Sequence, residues 1–186
     1  EQPPSARVEG IDVAAPSYMN LPSEKVTGGT FTGWEGSTVR LTATANTPIK
    51  TAMIQFLDEP QGKPTGEEVA AKVTREQSIE AEWTLEIRED GTFPTYYRVQ
   101  VATEDGRTDP APAVYQMTIR RDQPPEVVLL SPERDLEAPA NAVIPLLVEA
   151  RDPDFELGPI TLLVDKAGKI IHRQVQQHNA VAAAGT

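Results

Sequence analysis

The sequence predicts an all-β protein, and three observations predict it. Aromatic residues make up only 5% of the chain while prolines number 17, and Val, Thr and Ile recur in short runs, a balance that favours strands and turns over helices. Several of these runs alternate apolar and polar residues at period two, the mark of a strand with one face on a core and one in water. Turn signals built from Gly, Pro, Asn and Asp separate them at short intervals. Six to eight such strands before residue 121 have the pattern of a β-sandwich. The expected organisation is two sandwich modules in tandem, residues 1–121 and 122–186, with the second incomplete.

Each element has its own justification. QPPSARVEGIDVAAP, near the start, places a di-proline before a short apolar strand. Residues 14–34, AAPSYMNLPSEKVTGGTFTGW, are rich in Pro, Gly and Ser and predict a long connection with short paired pieces at SEKV and GTFT. In STVRLTATAN, Val39, Leu41, Ala43 and Ala45 alternate with Thr38, Arg40, Thr42 and Thr44. The turn NTPIK, Asn46 to Lys50, is expected to join this strand to a neighbour spanning Met53 to Leu57. The charged stretch 62–77, GKPTGEEVAAKVTREQ, reads as a short edge strand in preference to a helical turn over Glu67 to Lys72, because its neighbours are strands. SIEAEWTLEI sets Ile79, Ala81, Trp83, Leu85 and Ile87 against Glu80, Glu82, Thr84 and Glu86. Trp83 should point inward, and the glutamates should form a solvated face that discourages edge pairing. REDGT supplies an Asp-Gly turn, after which YYRVQVAT returns with Tyr97, Val99 and Val101 on one face. AVYQMTI sets Val114, Gln116 and Thr118 against Tyr115, Met117 and Ile119 and closes the series.

The joint follows in IRRDQPPEVVLLSP. Two consecutive prolines supply no backbone donor and hold the chain extended, so Asp122 to Pro125 reads as a stiff linker that limits how freely two modules swing. A faint internal repeat flanks it. QPPSARVEGIDVAAP has a partner in QPPEVVLLSP, STVRLTATAN in AVIPLLVEARD, and IKTAMIQFL in GPITLLV. Residues 122–186 are few for a two-sheet sandwich, and after GKIIHRQVQQ no strand signal follows. Truncation of a longer array is the favoured account, and completion by a strand from elsewhere is the alternative.

VQVATEDGRTDPAPAVYQMTIRRDQPPEV, residues 99–127, resembles the end of a cadherin-like immunoglobulin-type module. Val101, Ala102, Asp105, Gly106, Ile119, Asp122, Pro124 and Pro125 fill the places of the family's apolar-x-Ala strand, acidic-Gly turn, last strand and di-proline linker. VEARDPDFELGPITLLV is similar to the family's Val-x-Ala-x-Asp-x-Asp stretch through Val148, Ala150, Asp152 and Asp154. Bacterial immunoglobulin-like repeats of secreted and envelope-anchored proteins share this architecture, and the sequence does not separate the two groups. The resemblance implies immunoglobulin-like β-sandwich modules strung outside the cell, with calcium at the joints of true cadherins.

Calcium takes six to eight oxygen ligands at about 2.3 to 2.6 Å. Asp152, Asp154 and Glu156 cluster in sequence, and Asp122 in the linker completes the candidate set. Arg120 and Arg121 stand where the family places acidic or amide ligands, and their charge opposes a cation there. The favoured alternative is a solvated Pro-Asp turn in which Asp152 and Asp154 bond their own backbone. Pairing of the two arginines with those carboxylates is a further one, each exposed pair contributing roughly 0 to 1 kcal/mol. No other cofactor is indicated.

The formal net charge of −11 argues against nucleic acid and anionic membrane surfaces as partners. Cysteine is absent, which removes disulfides, thiolate metal sites and thiol nucleophiles. No run approaches the roughly 20 apolar residues of a membrane span, and EQPPSA carries no signal-peptide core. The expectation is a soluble, excised or mature piece whose targeting signal and anchor lie outside it. Catalysis finds little support. The two histidines, His172 and His178, sit in a polar stretch without a serine elbow or helical zinc spacing, and the 28 acidic residues read as sheet surface. Glycan binding needs an exposed aromatic platform, for which Trp34, Tyr96 and Phe93 are candidates. Trp34, flanked by glycines on a polar loop, is the foremost; its alternative role is to pack over one end of the first core.

The functional expectation is therefore a non-catalytic spacer, adhesion or scaffolding module of a larger envelope or secreted protein, in the periplasm or at the cell surface. Its partners would be other proteins or neighbouring modules of the same polypeptide. A calcium- or glycan-binding module, or an accessory domain of a secreted enzyme, is the alternative.

Overall fold

The alternating runs form strands in the computed structural model, which describes residues 2–176. The chain divides into two compact units, Glu1–Asp122 and Gln123–Thr186. The first contains β1 (Ala6–Ala14), β2 (Glu24–Thr27), β3 (Phe31–Trp34), β4 (Thr38–Ala45), β5 (Thr51–Leu57), β6 (Glu68–Thr74), β7 (Ser78–Thr84), β8 (Tyr96–Ala102) and β9 (Val114–Arg120). They pair as one nine-stranded sheet in the order β2-β1-β4-β7-β6-β5-β8-β9-β3. Every pairing is antiparallel except β3 with β9.

The sheet rolls into a nearly closed barrel because β6 changes partner along its length. Glu68 to Ala71 pair with β5, whereas Lys72 to Thr74 pair with β7. This strand thereby carries the ladder from one wall to the other. It is an interior strand and not the predicted edge, and its Val69 and Val73 pack against the core. Two predicted connections also differ. The turn at Asn46 to Lys50 joins β4 to β5, yet these strands are not sheet neighbours. The Asp-Gly turn forms, with Arg88 and Thr92 closing it through their backbones at 2.8 Å, but it lies on a crossover and does not pair β7 with β8. Sequence proximity favours hairpins, and the rolled sheet overrides it.

The predicted inward faces are buried. Val39, Leu41, Ile54, Ile79, Leu85, Tyr97, Val99, Val101 and Met117 all point into one core, and each large side chain contributes roughly 1.5–3 kcal/mol of apolar burial. Trp83 lies at its aromatic centre, 5.8 Å from Tyr97, 5.9 Å from Phe56 and 6.3 Å from Phe31 by ring centroids. Glu80, Glu82 and Glu86 face water as expected, with Glu82 paired to Arg40 at 2.7 Å. The link from β2 to β3 is pinned from inside. The buried Tyr97 hydroxyl donates to the Gly29 carbonyl, and a Cβ at Gly29 would fall 2.2 Å from the Tyr115 ring. Only glycine fits that approach.

The expectation of tandem sandwiches fails in both units: the first is one continuous sheet rolled into a nearly closed barrel and not two packed sheets, and the second has too few strands among the described residues. Its strands β10 (Glu126–Ser131), β11 (Leu147–Arg151), β12 (Ile160–Lys166) and β13 (Lys169–Gln176) form two separate two-stranded ladders, β10 with β11 and β12 with β13. The internal repeat nevertheless has a structural counterpart. Like β1 with β4, β10 with β11 is antiparallel and carries one irregularity, between Leu129 and Ser131 where the first unit has one between Val8 and Gly10. β12 with β13 corresponds to β5 with β6 and turns through Ala167 and Gly168, both at positive φ (53° and 79°), as a two-residue hairpin requires. Among the described residues no strands correspond to β7, β8 and β9. A sandwich needs those strands to cover its first ones, and among the described residues no second core forms.

Candidate functional site

The barrel is open along one seam. Among the described residues β2 pairs only with β1 and β3 only with β9, so the two strands at the ends of the sheet order each keep one edge without a partner there. A cleft of about 410 Å³ lies there, with Val13, Val26 and Phe31 among its apolar walls and Trp34, Arg120 and Ser37 also lining it. The floor is tight at Gly33, where a Cβ would meet Leu85 at 2.5 Å and Val13 at 3.1 Å. Ser37 is fully buried, and its Oγ finds no hydrogen-bond partner among the described residues. An unpartnered buried hydroxyl typically costs about 1–3 kcal/mol, and this one borders a cleft able to hold a partner.

Trp34 belongs to this seam and not to a polar loop. It is the last residue of β3, opposite Arg120 of β9 in the parallel register, with the guanidinium carbon 5.7 Å from its ring centroid. The expected platform is thus half-buried and stacked on by a cation. Such a contact contributes about 0.5–1 kcal/mol at an exposed site. Tyr96 and Phe93, the other predicted aromatics, are half-buried as well.

A second cleft, of about 420 Å³, opens beyond the end of β7, lined by Trp83, Met117, Ile119 and Arg88 among others. The Trp83 indole nitrogen is buried and meets no partner among the described residues. At the rim, Arg88 binds Glu67 at 3.1 Å and Asp58 at 3.2 Å. These two carboxylates, Glu67 foremost, hold the guanidinium yet more firmly in its charged form against the opposing effect of burial.

Three of the four predicted calcium ligands have protein partners, although the second carboxylate oxygen of Asp122 is buried and meets no partner among the described residues. The Asp122 carboxylate accepts the Tyr18 hydroxyl at 2.7 Å within the first unit. In the second, Asp152 accepts the backbone N–H groups of Asp154 and Phe155 at 2.9 and 2.8 Å. Asp154 accepts the Gln123 N–H at 3.1 Å, and Glu156 is exposed. Among the described residues no three His, Asp or Glu side chains are grouped to hold a metal ion. Arg120 stacks on Trp34, while Arg121 is exposed and its guanidinium lies near Gly91. His172 lies exposed on β13, opposite Val164, and His178 falls outside the described residues.

Sequence reasoning missed the apolar surface of the second unit. Val127, Val128, Leu129 and Leu130 are consecutive in β10 and exposed at 61, 53, 51 and 41%. Leu147 and Val148 of β11, and Ile170 and Ile171 of β13, are exposed too. Successive residues of a strand face opposite sides, so these ladders are apolar on both faces. The signal was legible as the unbroken run VVLL, which does not alternate. No known protein family and no curated protein matches the chain.

Proposed function

We propose that this chain is a non-catalytic, extracytoplasmic interaction module, a spacer, adhesion or scaffolding part of a larger envelope or secreted protein. The observation that carries the proposal is the exposure of β10, β11 and β13 on both faces. A two-stranded ladder is marginal in water, and contiguous exposed apolar surface marks a site of association. Strands that are apolar on both faces are built to be covered on both faces, by a protein partner or a neighbouring module of the same polypeptide.

The resemblance to cadherin-like and bacterial immunoglobulin-like repeats belongs to the same proposal. In its support, the acidic-Gly turn after β8 is closed by Thr103. The Thr103 hydroxyl donates to Asp105 and the Gly106 N–H donates to the Thr103 carbonyl at 3.1 Å. Extracytoplasmic placement draws on that resemblance.

The test is cross-linked capture with the full chain, from envelope and cytoplasmic fractions of the source cells, beside the Leu129→Lys variant. A partner recovered from the envelope fraction by the wild type and lost with the variant is the expected result. Equal recovery by both, or recovery only from the cytoplasmic fraction, would count against the proposal.

A further inference from the structure

We infer that the seam between β2 and β3 is a strand-accepting site, taking an extended peptide of another chain that is apolar at alternate positions and basic at its ends. Such a site rests on the interaction role proposed above, yet it uses a different unit of the molecule.

The backbone supplies the first reason. The Glu35 N–H donates to the Arg120 carbonyl at 2.8 Å, so by alternation Gly33 and Phe31 also turn their backbone groups towards β9 and Thr32 turns its own towards the seam. On the other side, the Gly28 N–H donates to the Glu9 carbonyl at 2.9 Å. Val26 and Glu24 therefore face β1, leaving Lys25 and Thr27 directed at the seam. Two unpaired edges thus flank one cleft. Following the pairings round the sheet, β2 and β3 run in opposite directions. An inserted strand is antiparallel to one and parallel to the other, and it closes the barrel.

The side chains supply the second reason. Half-buried Val26, backed by the buried Val13 and Phe31, offers an apolar wall to the inward-facing residues of an extended peptide. The Ser37 hydroxyl, fully buried and without a partner among the described residues, lies at the same cleft and offers a hydrogen bond that the free protein does not use. Charge chooses the peptide's ends. The charged residues lining the seam, Glu24 and Arg120, balance one another, so the field at its ends is set by the chain's overall −11. Flanking lysines are therefore attracted and flanking glutamates repelled.

The experiment uses a fluorescein-labelled eight-residue peptide that alternates valine and threonine between terminal lysines, titrated with the full chain by anisotropy. Three controls accompany it: the same peptide with alternate amides N-methylated, the same peptide with terminal glutamates, and the Ser37→Ala variant. Expected are saturable binding by the lysine peptide, at least roughly tenfold weaker binding after N-methylation, and weaker binding with glutamate ends. Ser37→Ala should bind about three- to tenfold more weakly while its unfolding midpoint is unchanged or higher, because the substitution deletes an unsatisfied group. A serine with a merely structural role would not give that split.

Absence of saturation up to about 1 mM, or binding indifferent to both N-methylation and Ser37→Ala, overturns the site. So does self-association of the chain through the seam that the peptide fails to compete away. Leu129→Lys should leave peptide binding intact. Loss of capture with peptide binding retained therefore rejects the broader role alone, and the reverse pattern rejects the seam alone.

Discussion

Replacing Tyr97 with phenylalanine removes one oxygen atom from the most enclosed part of the first unit. The ring is fully buried and keeps Trp83 at 5.8 Å and Phe31 at 6.0 Å, so packing is nearly unchanged. What disappears is the hydrogen bond to the Gly29 carbonyl, which then loses its donor in a buried position. Stranding a buried neutral acceptor costs about 1–3 kcal/mol, or a fall in midpoint of about 4–12 °C for a unit of this size. Thermal and guanidinium unfolding followed by tryptophan fluorescence measure it. A loss below about 0.5 kcal/mol would refute the claim that this bond pins the β2 to β3 link.

The same residue predicts a pH dependence. Burial, with the Tyr115 phenol adding to it, raises the Tyr97 phenol well above its ordinary value. The unfolded chain then releases this proton near pH 10 while the folded chain retains it. Stability from this group is fully present below about pH 10 and falls as the pH rises above it, by about 1.4 kcal/mol per pH unit. Tyr97→Phe should lack that component. Equal slopes for wild type and variant between about pH 10 and 11.5 would show that the phenol is not shielded as its burial requires.

Other perturbations have equally definite outcomes. Gly29→Ala places a Cβ 2.2 Å from the Tyr115 ring, so guanidinium unfolding should register a loss of about 1–3 kcal/mol, and the same substitution should cost much less when made in a Tyr115→Ala background. The Thr103 hydroxyl, then Arg107, hold the Asp105 carboxyl below its ordinary 3.8. Its stabilising contribution is present above that value and is lost as the pH falls through the lower folded one, and Asp105→Asn should flatten this part of the acid unfolding curve. Calcium in excess and chelator should give the same unfolding midpoint, since Asp152 already serves two backbone donors. A rise of several degrees that Asp152→Ala with Asp154→Ala abolishes would reverse this expectation.

The strands with strict alternation were legible because one physical cause produces both the pattern and the burial. Val39 to Ala45 and Ile79 to Trp83 each put every second side chain into the core, and the sequence displays that directly. β6 was harder, since Glu68 to Thr74 alternates weakly and its place depends on two partners contributed by other segments. Pairing order is likewise a property of the whole barrel. Asn46 to Lys50 and Asp90-Gly91 have turn chemistry, but turn chemistry fixes a local reversal and not which strand lies alongside. Trp34 shows the limit most clearly. Its flanking glycines suggested a loop, whereas Gly33 is there because β3 runs against Leu85 and Val13 with no room for a side chain.

The seam was invisible in the sequence for a related reason. An unpaired edge is defined by a strand that is missing, and no residue pattern records a missing neighbour. Ser37 is an unremarked serine until burial shows that its hydroxyl has no partner among the described residues. The second unit was partly legible, because its shortage of strands could be counted and VVLL could be read as apolar on both faces. Both units therefore present the same physical problem in different forms. Among the described residues, a nearly complete barrel in the first leaves backbone groups unpaired along one line, and ladders without a covering layer in the second leave side chains unburied. Main-chain pairing satisfies the first and tolerates many sequences, whereas apolar burial satisfies the second and depends on shape. Substituting Ser37 and Leu129 separately should therefore affect different partners, the former an extended peptide and the latter a folded surface.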